Sequence, residues 1–66
     1  MIIEFINGYI RDEKISVLEY SKRVGLSHTK VYKILSNKQR LGNKSIRAIA
    51  KLHNIDIRKV VDMCGY

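Results

Sequence analysis

Between Glu19 and Asp56 this 66-residue chain has no acidic residue, although nine of its 13 lysines and arginines lie there. With only six acids in the whole chain and a formal charge of +7, its natural partners are polyanions. Proline and tryptophan are absent, and aromatics make up 8% of the residues. Both absences argue for helices, and the 45% apolar content argues against disorder. A single cysteine, Cys64, cannot form an internal disulfide, and it reads as a small apolar residue or free thiol. No stretch approaches the roughly 20 apolar residues of a membrane span. The apolar start has no preceding basic region and no small-residue cleavage site, so it does not read as a signal peptide. The expected location is the bacterial cytoplasm or nucleoid, without membrane attachment.

Catalytic constellations are lacking too. The acids are scattered, the two histidines fall on different predicted helices, and Ser27 and His28 are neighbours rather than a nucleophile and its base. His53 lies on an apolar face with no second ligand at a metal-like spacing, so a packed or rim histidine is expected. The chain is read as a non-enzyme with no catalytic residue, metal or cofactor. At this length only about 60% of the unfolded chain's surface can be buried, enough for one small domain spanning residues 1–66.

What is present is concentrated in Val17 to Asn37, VLEYSKRVGLSHTKVYKILSN. Leu18, Ser21 and Val24 recur at three-residue steps, with Tyr20 beside them, as on one face of an amphipathic helix. Ser16, with Glu19 three residues on, forms a capping-box pattern that starts this helix near Val17. Gly25 follows the last apolar position, where a left-handed residue closes a helix without a side-chain clash. Ser21 provides a small side chain where two helices cross closely at a short turn. Ser27 then has the chemistry of an N-cap, and the next helix turns Val31, Ile34 and Leu35 to one side.

The opposite side of that second helix carries His28, Thr29, Tyr32, Lys33 and Ser36. None is acidic, and each can hydrogen-bond to a base edge or a phosphate. Two short helices around a glycine corner, with an acid-free polar outer face, make a helix-turn-helix pattern, a common way of presenting a helix to the DNA major groove.

The rest of the chain divides without linker or repeat. Ile2, Ile3, Phe5, Ile6, Tyr9 and Ile10 predict a mostly apolar first helix from Ile2 to Arg11 that covers Leu18 and Val24, with Gly8 inside it costing roughly 1 kcal/mol relative to Ala. Asn37 to Lys44 reads as a polar loop. Asn43 is the expected cap of a fourth helix facing inward through Ile46, Ile49, Ala50 and His53. Asn54 suits a left-handed helix end, and Asp56 caps a last helix carrying Ile57, Val60, Val61 and Cys64.

These residues resemble the Cro and lambda-repressor-like DNA-binding domains of the xenobiotic-response-element type. The likeness runs over Arg11-Asp12-Glu13-Lys14 before Ser16, then Ser21, Gly25, Leu26, Ser27, Val31 and Ile34. It continues through Ile46-Arg47-Ala48-Ile49-Ala50-Lys51, Ile55 and Val60-Val61. The resemblance implies an all-α fold of five short helices, the third in the major groove and the second crossing the backbone above it. It also implies that the loop after the third helix runs beside a phosphate strand. Four positions depart from the family. Val17 stands where Gln or Thr is usual and cannot make their phosphate contact; Ser21 replaces a small Ala and adds a hydroxyl that needs a partner; Arg58 and Lys59 stand where acids are usual.

The expected function is sequence-specific binding of double-stranded DNA by a transcriptional regulator, of the phage or mobile-element repressor type. His28, Thr29, Tyr32 and Lys33 are the candidates for reading bases. Ser27, Lys30, Ser36, Asn37, Lys38, Arg40, Asn43 and Lys44 are the candidates for the DNA backbone. A homodimer is expected, with apolar Val61, Met63 and Tyr66 near the C-terminus as its candidate interface. The alternative is an antirepressor or co-regulator that turns the same face to another regulator protein; nonspecific or RNA binding ranks third.

Overall fold

The computed structural model describes residues 1–65, so Tyr66 lies outside the described residues. Five helices follow one another: α1 (Ile2–Glu13), α2 (Val17–Val24), α3 (His28–Leu35), α4 (Asn43–His53) and α5 (Ile57–Cys64). There is no strand among the described residues. The fold is an all-α globule extending 27 × 23 × 19 Å. Three of the helices have eight residues, too short to persist alone in water. Their persistence depends on sharp ends and on what they bury.

The ends are made largely by local hydrogen bonds. Ser16 Oγ accepts the Glu19 N–H at 3.0 Å to open α2, and Ser27 Oγ accepts the Lys30 N–H at 3.1 Å to open α3. Asp56 Oδ1 accepts the Arg58 N–H at 2.8 Å to open α5. Only half of the expected capping box at Ser16 is used as read, because the Glu19 carboxylate accepts from Arg23 at 3.4 Å instead. At the α2–α3 corner Gly25 takes φ 78°, and the Ser21 carbonyl accepts from both Gly25 N–H (2.9 Å) and Leu26 N–H (3.1 Å). Asn37 at φ 59° ends α3, with Lys38 N–H reaching the Lys33 carbonyl at 2.9 Å and Asn37 N–H that of Ile34 at 3.1 Å.

Two expectations about these helices are corrected. Asn43 is not the cap of α4: it is the helix's first residue, and Gly42 holds the cap position without a side-chain bond, its carbonyl accepting from Ile46 N–H at 3.0 Å. Leu18 does not face the core. It is 46% exposed, because the buried stripe of α2 runs through half-buried Val17 to Tyr20, Ser21 and Val24, and Leu18 sits about 100° around the helix from Val17. Within the helix, the hydroxyl that distinguishes Ser21 is satisfied as its chemistry requires, donating to the Leu18 carbonyl at 2.6 Å.

Every helix contributes to one core: Ile2 and Ile6 from α1, Tyr20 and Val24 from α2, Val31 and Ile34 from α3, Ile46, Ile49 and Ala50 from α4, and Val60 from α5. Leu41 fills in from the loop before α4. The helix α1 lies against α3 and α5, while α2 lies against α3 and α4. The seam between α1 and α2 is closed by side chains. Arg23 reaches back to Tyr9 Oη at 3.2 Å and Glu13 Oε1 at 3.0 Å while holding Glu19 in its own helix. Those bonds, Tyr9 first, keep its guanidinium firmly charged. Ser45 Oγ is fully buried and has no hydrogen-bond partner among the described residues.

The expectation of a packed histidine is met by an aromatic cluster. His53, at the end of α4, sits 4.7 Å from Phe5 and 4.6 Å from Tyr9 between ring centroids. Its Nε2 is 2.8 Å from the hydroxyl of buried Tyr20, 33 residues away in sequence. Burial pushes the Tyr20 phenol up, so it stays protonated. Burial also holds His53 below its ordinary value of 6.5. The unfolded chain thus binds this proton more tightly than the folded one, so the stability contributed by neutral His53 is present above pH 6.5 and is lost as pH falls below it. Denaturant melts from neutral pH down to the acid side of 6.5 are expected to show wild-type stability falling more steeply than that of His53→Gln. Parallel pH profiles for the two proteins would mean that the imidazole does not supply the slope.

Candidate nucleic-acid interface

The helix α3 separates its side chains into two sets. Val31 and Ile34 are 2% and 3% exposed and hold the helix against the core, with Leu35 half-buried beside them. His28, Thr29, Tyr32, Lys33 and Ser36 are all exposed on the other side. Tyr32, one of the few large apolar side chains left in solvent, is 53% exposed. Its ring lies 4.5 Å from that of His28, one helical turn back, so the two rings support each other on the outer surface. This is the base-reading set expected from sequence, and the fold brings all four members together on one face.

The expected backbone set divides by what each residue does in the fold. Ser27 spends an oxygen lone pair on capping and keeps its O–H for an outside acceptor. Ser36 is different: its hydroxyl donates to the Tyr32 carbonyl and would have to leave that bond to meet a phosphate. Asn37 is the left-handed residue that terminates α3. Lys30 is half-buried, whereas Lys38, Arg40, Asn43 and Lys44 are exposed along the turn from α3 into α4. Lys33, Lys38 and Lys44 have no carboxylate partner among the described residues, where the ion pairs belong to Arg11, Arg23 and Arg58.

One part of the sequence reading changes here. Arg23, counted among the nine bases of the acid-free stretch, is neutralised by Glu13 and Glu19 and serves the α1–α2 seam. Val61 and Met63, expected at a dimer interface, are half-buried, packed in part against the domain's own core. Tyr66, their third member, falls outside the described residues. Arg58 is likewise accounted for locally, since its guanidinium turns back to Asp56 at 3.4 Å. The backbone and side-chain bonds from Arg58 hold the Asp56 carboxyl below its ordinary range.

The sequence reading also passed over Arg47 and Lys51. Both are exposed on α4, and their spacing from Lys44, three and seven residues, was the available signal. Among the described residues no three or more His, Cys, Asp or Glu side chains are grouped to hold a metal ion. No described helix is long and apolar enough to cross a membrane. No protein-family model, curated protein or solved structure matches the chain.

The two sides of α3 make separable demands. Ile34→Ala is expected to destabilise the domain by about 2 to 4 kcal/mol, through lost burial and the cavity left behind. Tyr32→Ala removes an exposed ring and is expected to change the thermal midpoint little. Melting curves that rank the two substitutions in the opposite order would require α3 to be rotated about its axis and the outer face to be reassigned.

Proposed function

We propose that this protein is a sequence-specific DNA-binding transcriptional regulator of the helix-turn-helix, lambda-repressor-like kind, inserting α3 into the major groove. The observation that carries the reading is the outer face of α3. It sets His28, Thr29, Tyr32 and Lys33 side by side, without an acid, on a short helix fixed by Val31 and Ile34 and joined to α2 through the Gly25 corner.

Pure charge would attract any polyanion; four chemically different side chains in a row can distinguish base edges. Lys33 can donate to guanine O6 or N7, and Thr29 offers its methyl to thymine or its hydroxyl to an acceptor. Ser27, Lys38 and Lys44 flank this face with donors for phosphates, which set register rather than sequence. Repression by covering a promoter is the simplest consequence of such binding.

The domain's longest extent, 27 Å, is less than one duplex turn of roughly 34 Å, so one copy cannot place reading helices in two successive major grooves on one side of the DNA. A single reading helix covers too few base pairs to find one operator among a genome's competing sites. Binding as a homodimer to a two-fold symmetric site follows. Sedimentation of protein with its selected duplex is expected to give two chains per duplex. A complex of one chain per duplex would remove the dimer from this reading.

Selection from a random duplex pool is the direct test and is expected to return a motif. On that motif Lys33→Ala or Thr29→Ala is expected to cost roughly 1 to 3 kcal/mol, and much less on random DNA. Lys38→Ala is expected instead to weaken all duplexes alike and to flatten the salt dependence by about one ion. Equal losses for Lys33→Ala on selected and random DNA would contradict base reading. A protein that ignores duplex DNA but binds another regulator one to one would be an antirepressor.

A further inference from the structure

The bases of α4 form a stripe of which the α3 footprint borders only the first, Lys44. Lys44, Arg47 and Lys51 are exposed and fall within about 60° of one another around the helix, opposite the buried Ser45, Ile46, Ile49 and Ala50. Since α4 packs its buried side on α2 and α5, the stripe looks out to solvent.

A solvated surface helix normally intersperses its charges, and this chain does so elsewhere. Arg11 has Asp12 at 3.8 Å, Arg23 has Glu13 at 3.0 Å and Glu19 at 3.4 Å, and Arg58 has Asp56 at 3.4 Å. Arg47 has no carboxylate among the described residues, and α4 contains no acid at all. Lys44 with Arg47, and Arg47 with Lys51, are like charges at the spacings where they repel on a helix. Lys44 also stands in the first turn, where the helix dipole disfavours a cation. The stripe therefore works against its own helix until something anionic covers it.

Resting on the DNA-binding reading of α3, we infer that this stripe holds the phosphate backbone of duplex DNA flanking the bases that α3 contacts. Continuity favours DNA over an acidic protein. The bases run without an intervening acid from Lys33 on α3 through Lys38 and Lys44 to Arg47 and Lys51, so the turn already proposed to lie beside a phosphate strand leads directly onto the stripe. At 1.5 Å of rise per residue, Lys44 to Lys51 spans about 10 Å, the axial length of roughly three phosphates of one strand. Arg47 and Lys51 would thus bind in a way indifferent to sequence and dependent on duplex length.

The experiment compares wild type with the double variant Arg47→Gln, Lys51→Gln, leaving Lys44 untouched because it borders the α3 site. Two duplexes are used: one trimmed to the selected site, and one with about one further helical turn, about 10 base pairs, on each side. Wild type is expected to bind the longer duplex more tightly. The double variant is expected to lose that advantage, to flatten the salt dependence on the longer duplex by about two ions, and to match wild type on the trimmed one. Two phosphate contacts correspond to roughly tenfold more affinity lost by wild type than by the variant between about 50 and 200 mM salt. The variant's thermal midpoint is expected to equal or exceed that of wild type, since two repulsions are removed.

A wild type that reads the trimmed site but gains nothing from flanking DNA overturns this inference and leaves the α3 reading intact. Equal losses by the variant on both duplexes also overturn it. A wild type that binds neither duplex overturns both readings, and if it then binds polyglutamate through Arg47 and Lys51, the occupant is an acidic protein.

Discussion

The burial of Val31 and Ile34 is the interaction on which the rest depends. An eight-residue helix has no lasting stability of its own in water, so α3 is a helix, and points one particular way, because two adjacent turns of it are sunk in the core. Orientation matters as much as existence. With those two side chains fixed, His28, Thr29, Tyr32 and Lys33 can only face outward. The corner at Gly25 transmits the same constraint to α2, whose Ser21 must remain small and whose Tyr20 must find a hydrogen bond inside the protein.

That second requirement ties distant parts of the chain together. Tyr20 meets His53, which lies against Phe5 and Tyr9, and Tyr9 meets Arg23. Three helices, α1, α2 and α4, converge on this one polar and aromatic contact in a domain whose core is otherwise aliphatic. The neutral imidazole is the part of it most sensitive to conditions, because burial disfavours its charged form.

Much of this was legible in the sequence, because the relevant signals are local. Period, caps and the glycine corner act within a few residues, and they place α2, α3 and the outer face of α3. Leu18 was misplaced because three-residue spacing fits it as well as it fits Val17, and only the packing partners choose between the two stripes. Asn43 was misplaced because asparagine and glycine both suit an N-cap, and Gly42 one position earlier took it. The Tyr20–His53 bond, with 33 residues between its partners, left no local trace. The same holds for Arg23, which counts as positive in any tally of charge yet sits between two carboxylates once α1 folds beside α2. Val61 and Met63 read as surplus apolar surface in the sequence, and α5 packs them in part against the core.

The segregation of charge along the chain has a kinetic consequence. All six acids lie on α1, the first turn of α2, and the cap and body of α5, whereas α3, the following turn and α4 carry bases only. A molecule so divided has an electric dipole moment in addition to its net charge, and an approaching polyanion exerts a torque on it before any contact forms. Encounters then begin with the basic elements already turned inward, which raises the association rate more than it slows release, and does so less as ionic strength rises.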